Sequence, residues 1–175
     1  MKRLIIPFLL MFLICSCVSP KGVYTIGGEG STQVDEMAQL KVDSNPNFDF
    51  QKLDILEFDG RDMNMAVTDK PNKFMAMPKR NLQGNTYVPK AAIFFPAGEH
   101  EFRFRWEAAN MLGMQTHSFW SPVDAVAKFN ALQGKTYLVQ TRMGFDENSK
   151  GEGTWHWKLV EVETGKVVIP EDNKN

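Results

Sequence analysis

From His100 to Trp106 the chain alternates strictly. Phe102, Phe104 and Trp106 take every second position, with Glu101, Arg103 and Arg105 between them. A period of two with one apolar face predicts a half-buried antiparallel strand. Just before it, Tyr87–Phe95 is extended and partly apolar, and Pro96-Ala97-Gly98 predicts a tight turn. A hairpin is therefore expected here, at the centre of the core. Each of its aromatic side chains brings roughly 1.5–3 kcal/mol on burial.

Weaker alternation recurs along the chain. Ala38, Leu40 and Val42 predict a strand over Ala38–Val42, while the capping-box spacing of Thr32 and Asp35 offers a short helix around Val34–Leu40 as the alternative. Ser44-Asn45-Pro46-Asn47 is turn chemistry. Leu53–Phe58 predicts a strand closed by Asp59-Gly60. The polar stretch from Arg61 to Thr86 holds short, irregular strands near Met63–Val67 and Phe74–Met77. Ala108–His117 is expected to be a loop. Phe119–Phe129 is extended or mixed, with Pro122 limiting regular pairing. Tyr137–Arg142 follows Gly134 as a strand, and Asp146–Gly153 is a polar loop. In Thr154–Val162, Trp155, Trp157 and Leu159 share one face. Glu163-Thr164-Gly165-Lys166 then turns the chain into Val167–Ile169.

Seven or eight short strands and no long helix predict an all-β fold, an antiparallel β-sandwich or partly open barrel. The domain is expected over residues 37–170, with a frayed tail over 171–175. Before it, residues 17–36 are glycine-rich and hold few large apolar groups, which predicts a flexible tether.

The N-terminus has a different pattern. Lys2 and Arg3 precede eleven apolar residues, Leu4 to Ile14. As a helix this run spans roughly 16 Å, against a hydrocarbon core of about 30 Å. A cationic start, a short apolar core and small residues at the exit mark a signal peptide, residues 1–16. Ile14-Cys15-Ser16-Cys17 resembles the lipobox of bacterial lipoproteins. The resemblance implies cleavage between Ser16 and Cys17 and a diacylglyceryl group on the Cys17 thiol, with further acylation of the new amino terminus. Cys15 fits the anchor role less well, because Ile14 then stands where the family has a small residue. Two or more acyl chains anchor stably where one does not. Val18 after the lipid cysteine, rather than Asp, implies the outer membrane.

A second resemblance lies within the domain. Ile55, Asp59-Gly60 and Phe95-Pro96-Ala97-Gly98-Glu99-His100, followed by the alternating strand, resemble PEGA-type modules of bacterial envelope proteins. That family has a proline/small–Gly–Glu–His turn between strands. The likeness covers about residues 53–107. It departs from the family in the insertion 61–86 and in the strands after residue 118, and it implies no catalytic residues.

Without residues 1–16 the chain holds 18 basic and 21 acidic residues, a net charge of −3. That argues against a nucleic-acid partner and gives no drive toward anionic lipid, so the lipid does the anchoring. Cys15 and Cys17 are the only cysteines. The domain therefore has neither disulfide, thiol nucleophile nor thiolate metal site.

Candidate chemistry is sparse. His100, His117 and His156 lack zinc-ligand spacing. Met63 and Met65, Met75 and Met77, and Met111 and Met114 offer thioethers for soft Cu(I), or gap-filling packing. Trp106, Trp120, Trp155 and Trp157 offer a carbohydrate-stacking platform, although Trp155 and Trp157 share a strand face suited to a core. Glu161 and Glu163 read as a solvated face. No Gly-x-Ser-x-Gly elbow, P-loop or dinucleotide fingerprint occurs. The expected function is a non-enzymatic, cofactor-free binding or scaffolding module, anchored in the outer membrane through Cys17, with a protein partner in the envelope. A copper-binding or cell-wall glycan-binding protein is the alternative.

Overall fold

The computed structural model describes residues 23–26, 34–70, 79–80, 86–87, 90–112, 115–145 and 153–171. Among these residues there are thirteen strands and no α-helix. In chain order they are β1 (Val23–Thr25), β2 (Ala38–Val42), β3 (Phe50–Phe58), β4 (Arg61–Thr68), β5 (Lys79–Arg80), β6 (Thr86–Tyr87) and β7 (Ala92–Phe95). There follow β8 (Gly98–Leu112), β9 (Gln115–Trp120), β10 (Ala125–Ala131), β11 (Thr136–Phe145), β12 (Gly153–Glu161) and β13 (Val167–Ile169). The first sheet has the order β1-β7-β2-β11-β12-β13; the second has β10-β8-β3-β4, with β9 paired to β8 beyond β10. β5 and β6 form a separate pair. Most pairings are antiparallel; β1 with β7 and β2 with β11 are parallel. Two sheets enclosing one core make a β-sandwich, with several strands too short for a period-two pattern to reveal.

Alternation explains the packing. Phe102, Phe104 and Trp106 on β8 are fully buried, as are Tyr137, Val139 and Leu159 facing them from the first sheet. Phe104 meets Trp157 edge-on at 5.1 Å, and Trp106 stacks on Trp155 at 6.0 Å. Such pairs add about 0.5–1.5 kcal/mol beyond their buried area. In β3 a register shift between Ile55 and Glu57 inserts Leu56 as an extra residue. This bulge brings Phe58, rather than Glu57, to the core opposite Phe102. Asp59 (φ 49°) and Gly60 (φ 73°) then form a two-residue turn with both central residues left-handed, the twist a tight hairpin favours.

The expected hairpin at Pro96-Ala97-Gly98 is instead a corner between the sheets. β7 pairs with β1 and β2, whereas β8 pairs with β3, β9 and β10. Phe95 and Phe102 therefore meet across the core, at 5.0 Å and nearly perpendicular, rather than side by side in one sheet. Gly98 has φ 135°, a conformation that side-chain-bearing residues rarely adopt, which lets the corner be this sharp. Ala108–His117, expected as a loop, is largely the β8–β9 pairing of Glu107–Leu112 with Gln115–Trp120. Small and polar residues there give no alternating signal, although Ala108 and Ala109 are fully buried.

Part of the stretch expected as a flexible tether, Val23–Ile26, is docked. β1 adds to the edge of β7, and Ile26 N–H donates to the Phe94 carbonyl at 2.8 Å. Tyr24 and Ile26 pack against the core. Burial raises the Tyr24 phenol above its ordinary pKa despite a hydrogen bond with the Ala66 backbone, and Lys90 Nζ lies 5.9 Å from its ring centroid. Val34–Glu36 forms a single 3-10 turn just before β2. Phe74–Met77 and most of Asp146–Gly153 lie outside the described residues.

Gln51 is the polar hub of the core. It is fully buried, and its Oε1 accepts from Trp106 Nε1 at 3.1 Å and from the Thr141 hydroxyl at 2.7 Å. Its Nε2 donates to the Asp43 carbonyl. These bonds tie β3 and β8 of one sheet to β11 of the other, with every polar atom of the amide group engaged.

Candidate functional site

The two ends of the sandwich differ. One end carries the β3–β4 turn and the β7–β8 corner. There His100 Nδ1 lies 2.8 Å from Asp59 Oδ2, and Nε2 lies 2.9 Å from the Pro96 carbonyl. Both partners are acceptors, so whichever ring nitrogen carries the proton has an oxygen within hydrogen-bond distance. Asp59 also accepts from the Glu101 N–H at 2.9 Å, and the His100 ring stacks on Phe58 at 4.9 Å. This end is shut.

The other end is open. Phe48 and Phe119 continue the inner aromatic layer past Trp106, at 5.5 Å from Phe48 to Trp106 and 5.7 Å from Phe48 to Phe119. Above them is a cleft of about 510 Å³, lined by Pro46, Asn47, Phe48, Asp49, Lys70, Asn110, His117 and Phe119. Its size falls within the range of small-ligand sites.

The wall of this cleft follows from its turn residues. Asn45 Oδ1 accepts from Asn47 N–H at 3.0 Å, and the Asn45 carbonyl accepts from Phe48 N–H at 3.1 Å. Asp49 N–H donates to the Ala109 carbonyl at 3.0 Å and to Asn110 Oδ1 at 3.1 Å, while Asp49 Oδ2 accepts from Met111 N–H at 2.7 Å. Lys70 Nζ donates to the Phe48 and Asp49 carbonyls at 3.1 and 2.7 Å. The loop is thereby fastened to β8 and to the end of β4. An aromatic floor with amide and imidazole groups at the rim suits a flat ligand having one apolar face and hydroxyls at its edge. The Asp49 and Lys70 charges are spent on holding the loop.

The other candidates fall in scattered places. Ser16, Cys17, Met75, Met77 and Met114 lie outside the described residues. Met63 and Met65 are half-buried against the core, and Met111 is exposed. His100 faces the core at the shut end and His156 faces outward on the opposite sheet, so these two do not meet. His117 reaches the cleft rim. Trp106, Trp155 and Trp157 belong to the core, and only Trp120 of the four is exposed, at 66%. A shared tryptophan platform is therefore not formed. Glu161 is buried rather than solvated, taking a hydrogen bond from the Thr164 hydroxyl at 3.2 Å. Glu163 does lie in solvent. Among the described residues no group of three or more His, Cys, Asp or Glu side chains is placed to hold a metal ion, and no helix is long and apolar enough to cross a membrane.

Sequence reasoning passed over Phe48, Phe119 and Asn110. The available signal was an aromatic residue directly after the Asn45-Pro46-Asn47 turn, where a loop would otherwise be polar throughout. No protein-family model, curated protein or solved structure matches the chain.

Proposed function

We propose that this is a lipid-anchored protein of the bacterial envelope, held at the outer membrane by acyl chains on Cys17, whose β-sandwich acts as a non-enzymatic binding or scaffolding module. The observation that carries this reading is Ile14-Cys15-Ser16-Cys17 behind Lys2-Arg3 and eleven apolar residues. The fold is consistent with it in one respect: the β2–β3 connection and the paired ends of β8 and β9 border a cleft at one end of the sandwich, a place suited to binding. The test is the mass of the N-terminal peptide of membrane-extracted protein beside a Cys17→Ser form. A native peptide that begins at acylated Cys17, with an unprocessed variant, bears the reading out. A native protein that is soluble and unlipidated overturns it.

Within that reading the open cleft favours a glycan ligand over a soft metal. Its Phe48 and Phe119 floor takes over the role first assigned to the tryptophans, and Asn47, Asn110 and His117 provide rim hydrogen bonds. Trp106 touches Phe48, so cell-wall fragments that bind should change tryptophan fluorescence, and Phe119→Ala should abolish the change. An unchanged signal at saturating fragment concentration rejects the glycan ligand and leaves the scaffold reading, which pull-down of an envelope protein then tests.

A further inference from the structure

We infer that the outer face of the first sheet carries a carboxylate-binding site, and that Glu171 occupies it as a built-in ligand which an acidic peptide can displace. Arg142 on β11 and His156 on β12 stand directly opposite one another in register. Trp155 and Trp157 turn into the core, so His156 and Lys158 turn outward, together with their cross-strand partners Arg142 and Gln140. Beyond β13 and Pro170 the chain lays Glu171 over this face. Glu171 Oε1 accepts from Arg142 Nε at 2.7 Å and from Arg142 Nη2, and it lies 3.4 Å from His156 Nδ1. The hydrogen bond from Arg142 is the largest of the influences that hold this carboxyl below its ordinary pKa; attraction from Arg142, His156 and Lys158 adds to it, against desolvation.

Two features distinguish this from an ordinary surface ion pair. A cavity of about 240 Å³ adjoins the cationic groups, with Asp43, Gln140 and Thr141 also on its wall. It has room for a carboxylate and its neighbouring peptide unit. Further, both Arg142 contacts and the His156 contact go to the same oxygen of Glu171. A guanidinium binds a carboxylate best through two parallel bonds, one to each oxygen. Glu171 as placed here does not make that arrangement, whereas a free carboxylate can. Asp43 is the one acid of the wall besides Glu171, and its Oδ2 already accepts from Gln140 Nε2 at 3.1 Å. The ligand class is therefore a carboxylate-bearing peptide.

The experiment titrates the full chain with the capped peptide acetyl-Asp-Glu-Glu-amide, following His156 ring resonances by NMR and heat by calorimetry. Native protein should bind weakly, because Glu171 competes at high effective concentration. Glu171→Gln should bind at least tenfold more tightly, and Arg142→Gln in that background should lose binding while the thermal midpoint stays near native. Equal affinity for native and Glu171→Gln protein overturns the inference. So does full binding without Arg142, equal binding of acetyl-Asn-Gln-Gln-amide, or no binding to any form.

Discussion

At one end of the sandwich Phe58, Phe95, Phe102, Phe129 and Tyr137 fill the space between the sheets under a turn and a corner fastened by His100. At the other end Phe48 and Phe119 reach the same inner space and leave a cleft of about 510 Å³. The difference lies in the connections. At the shut end, two residues join β3 to β4 and two join β7 to β8, while four and five residues join β10 to β11 and β12 to β13. At the open end only two residues join β8 to β9, but seven separate β2 from β3 and seven separate β11 from β12. Short connections draw the sheet edges together and the aromatic rings close over them. At the open end Pro46, Asn47, Phe48 and Asp49 of the β2–β3 connection instead border a hollow, the usual place for binding.

The comparison breaks most directly at its aromatic residues. Phe95→Ala, at the shut end, should cost about 3–5 kcal/mol, because the rings around it cannot collapse into the space it leaves. Phe119→Ala, partly buried at the cleft where solvent can fill the space left, should cost less, about 1–2 kcal/mol. Denaturant midpoints of the two variants measure the gap. Equal losses would mean that the open end is as tightly packed as the shut one.

The next largest effect is at the hub between the ends. Gln51→Met leaves the buried Trp106 indole N–H and the part-buried Thr141 hydroxyl without their acceptor, a loss of roughly 2–3 kcal/mol. Adding Thr141→Val removes one orphaned group, so the double variant should be more stable than the sum of the single changes implies. Additive losses in that cycle would show that the hydroxyl finds another partner.

The shut end was the more legible of the two, and the reason is local chemistry. Asp59-Gly60 names its own turn, and Phe102, Phe104 and Trp106 declare their shared face within seven residues. The all-β class and the β2, β11 and β12 strands follow from the same alternation. What escaped depends on distant residues. That Pro96-Ala97 crosses between sheets is decided by which strands β7 and β8 pair with, and a tight turn looks the same either way. Gln51 reads as an ordinary polar position until Trp106 and Thr141 arrive beside it. Glu161 looks solvated for the same reason. The cleft combines Phe48 with Phe119 across 71 positions of sequence, and no spacing rule joins them. Cys17 is the converse case: the role proposed for it rests wholly on adjacent residues.

A smaller effect sharpens the picture of the shut end. His100→Leu removes both contacts of the ring, to Asp59 and to the Pro96 carbonyl, for about 1–2 kcal/mol. Hydrogen exchange should quicken at the Asp59 and Glu101 amides, which bond across the turn and strand, and stay unchanged at Asp49 and Met111. Quickening at both ends alike would show that the ring stabilises the whole sandwich rather than its own corner.

The smallest effect depends on pH. Glu163 accepts from the Thr136 N–H at 3.0 and 3.2 Å, at the start of β11. Desolvation pushes its pKa upward, but hydrogen bonds from its own backbone and from Thr136, with the Lys135 charge, outweigh that and hold it below the ordinary carboxylate value. A depressed native pKa means that the unfolded chain takes up the proton first. The stabilisation is therefore complete above the ordinary carboxylate pKa and is lost as pH falls through the lowered native one. Glu163→Gln removes this titration. Native protein should be slightly more stable than the variant at neutral pH, and the two curves should converge in the acid range, where Glu163 is protonated in both states. Glu171 titrates in the same region but is common to both proteins, so it cancels in the difference. A difference that stays constant from neutral to acid pH would assign the Glu163 contact to packing alone and remove charge from the account of how this end is held.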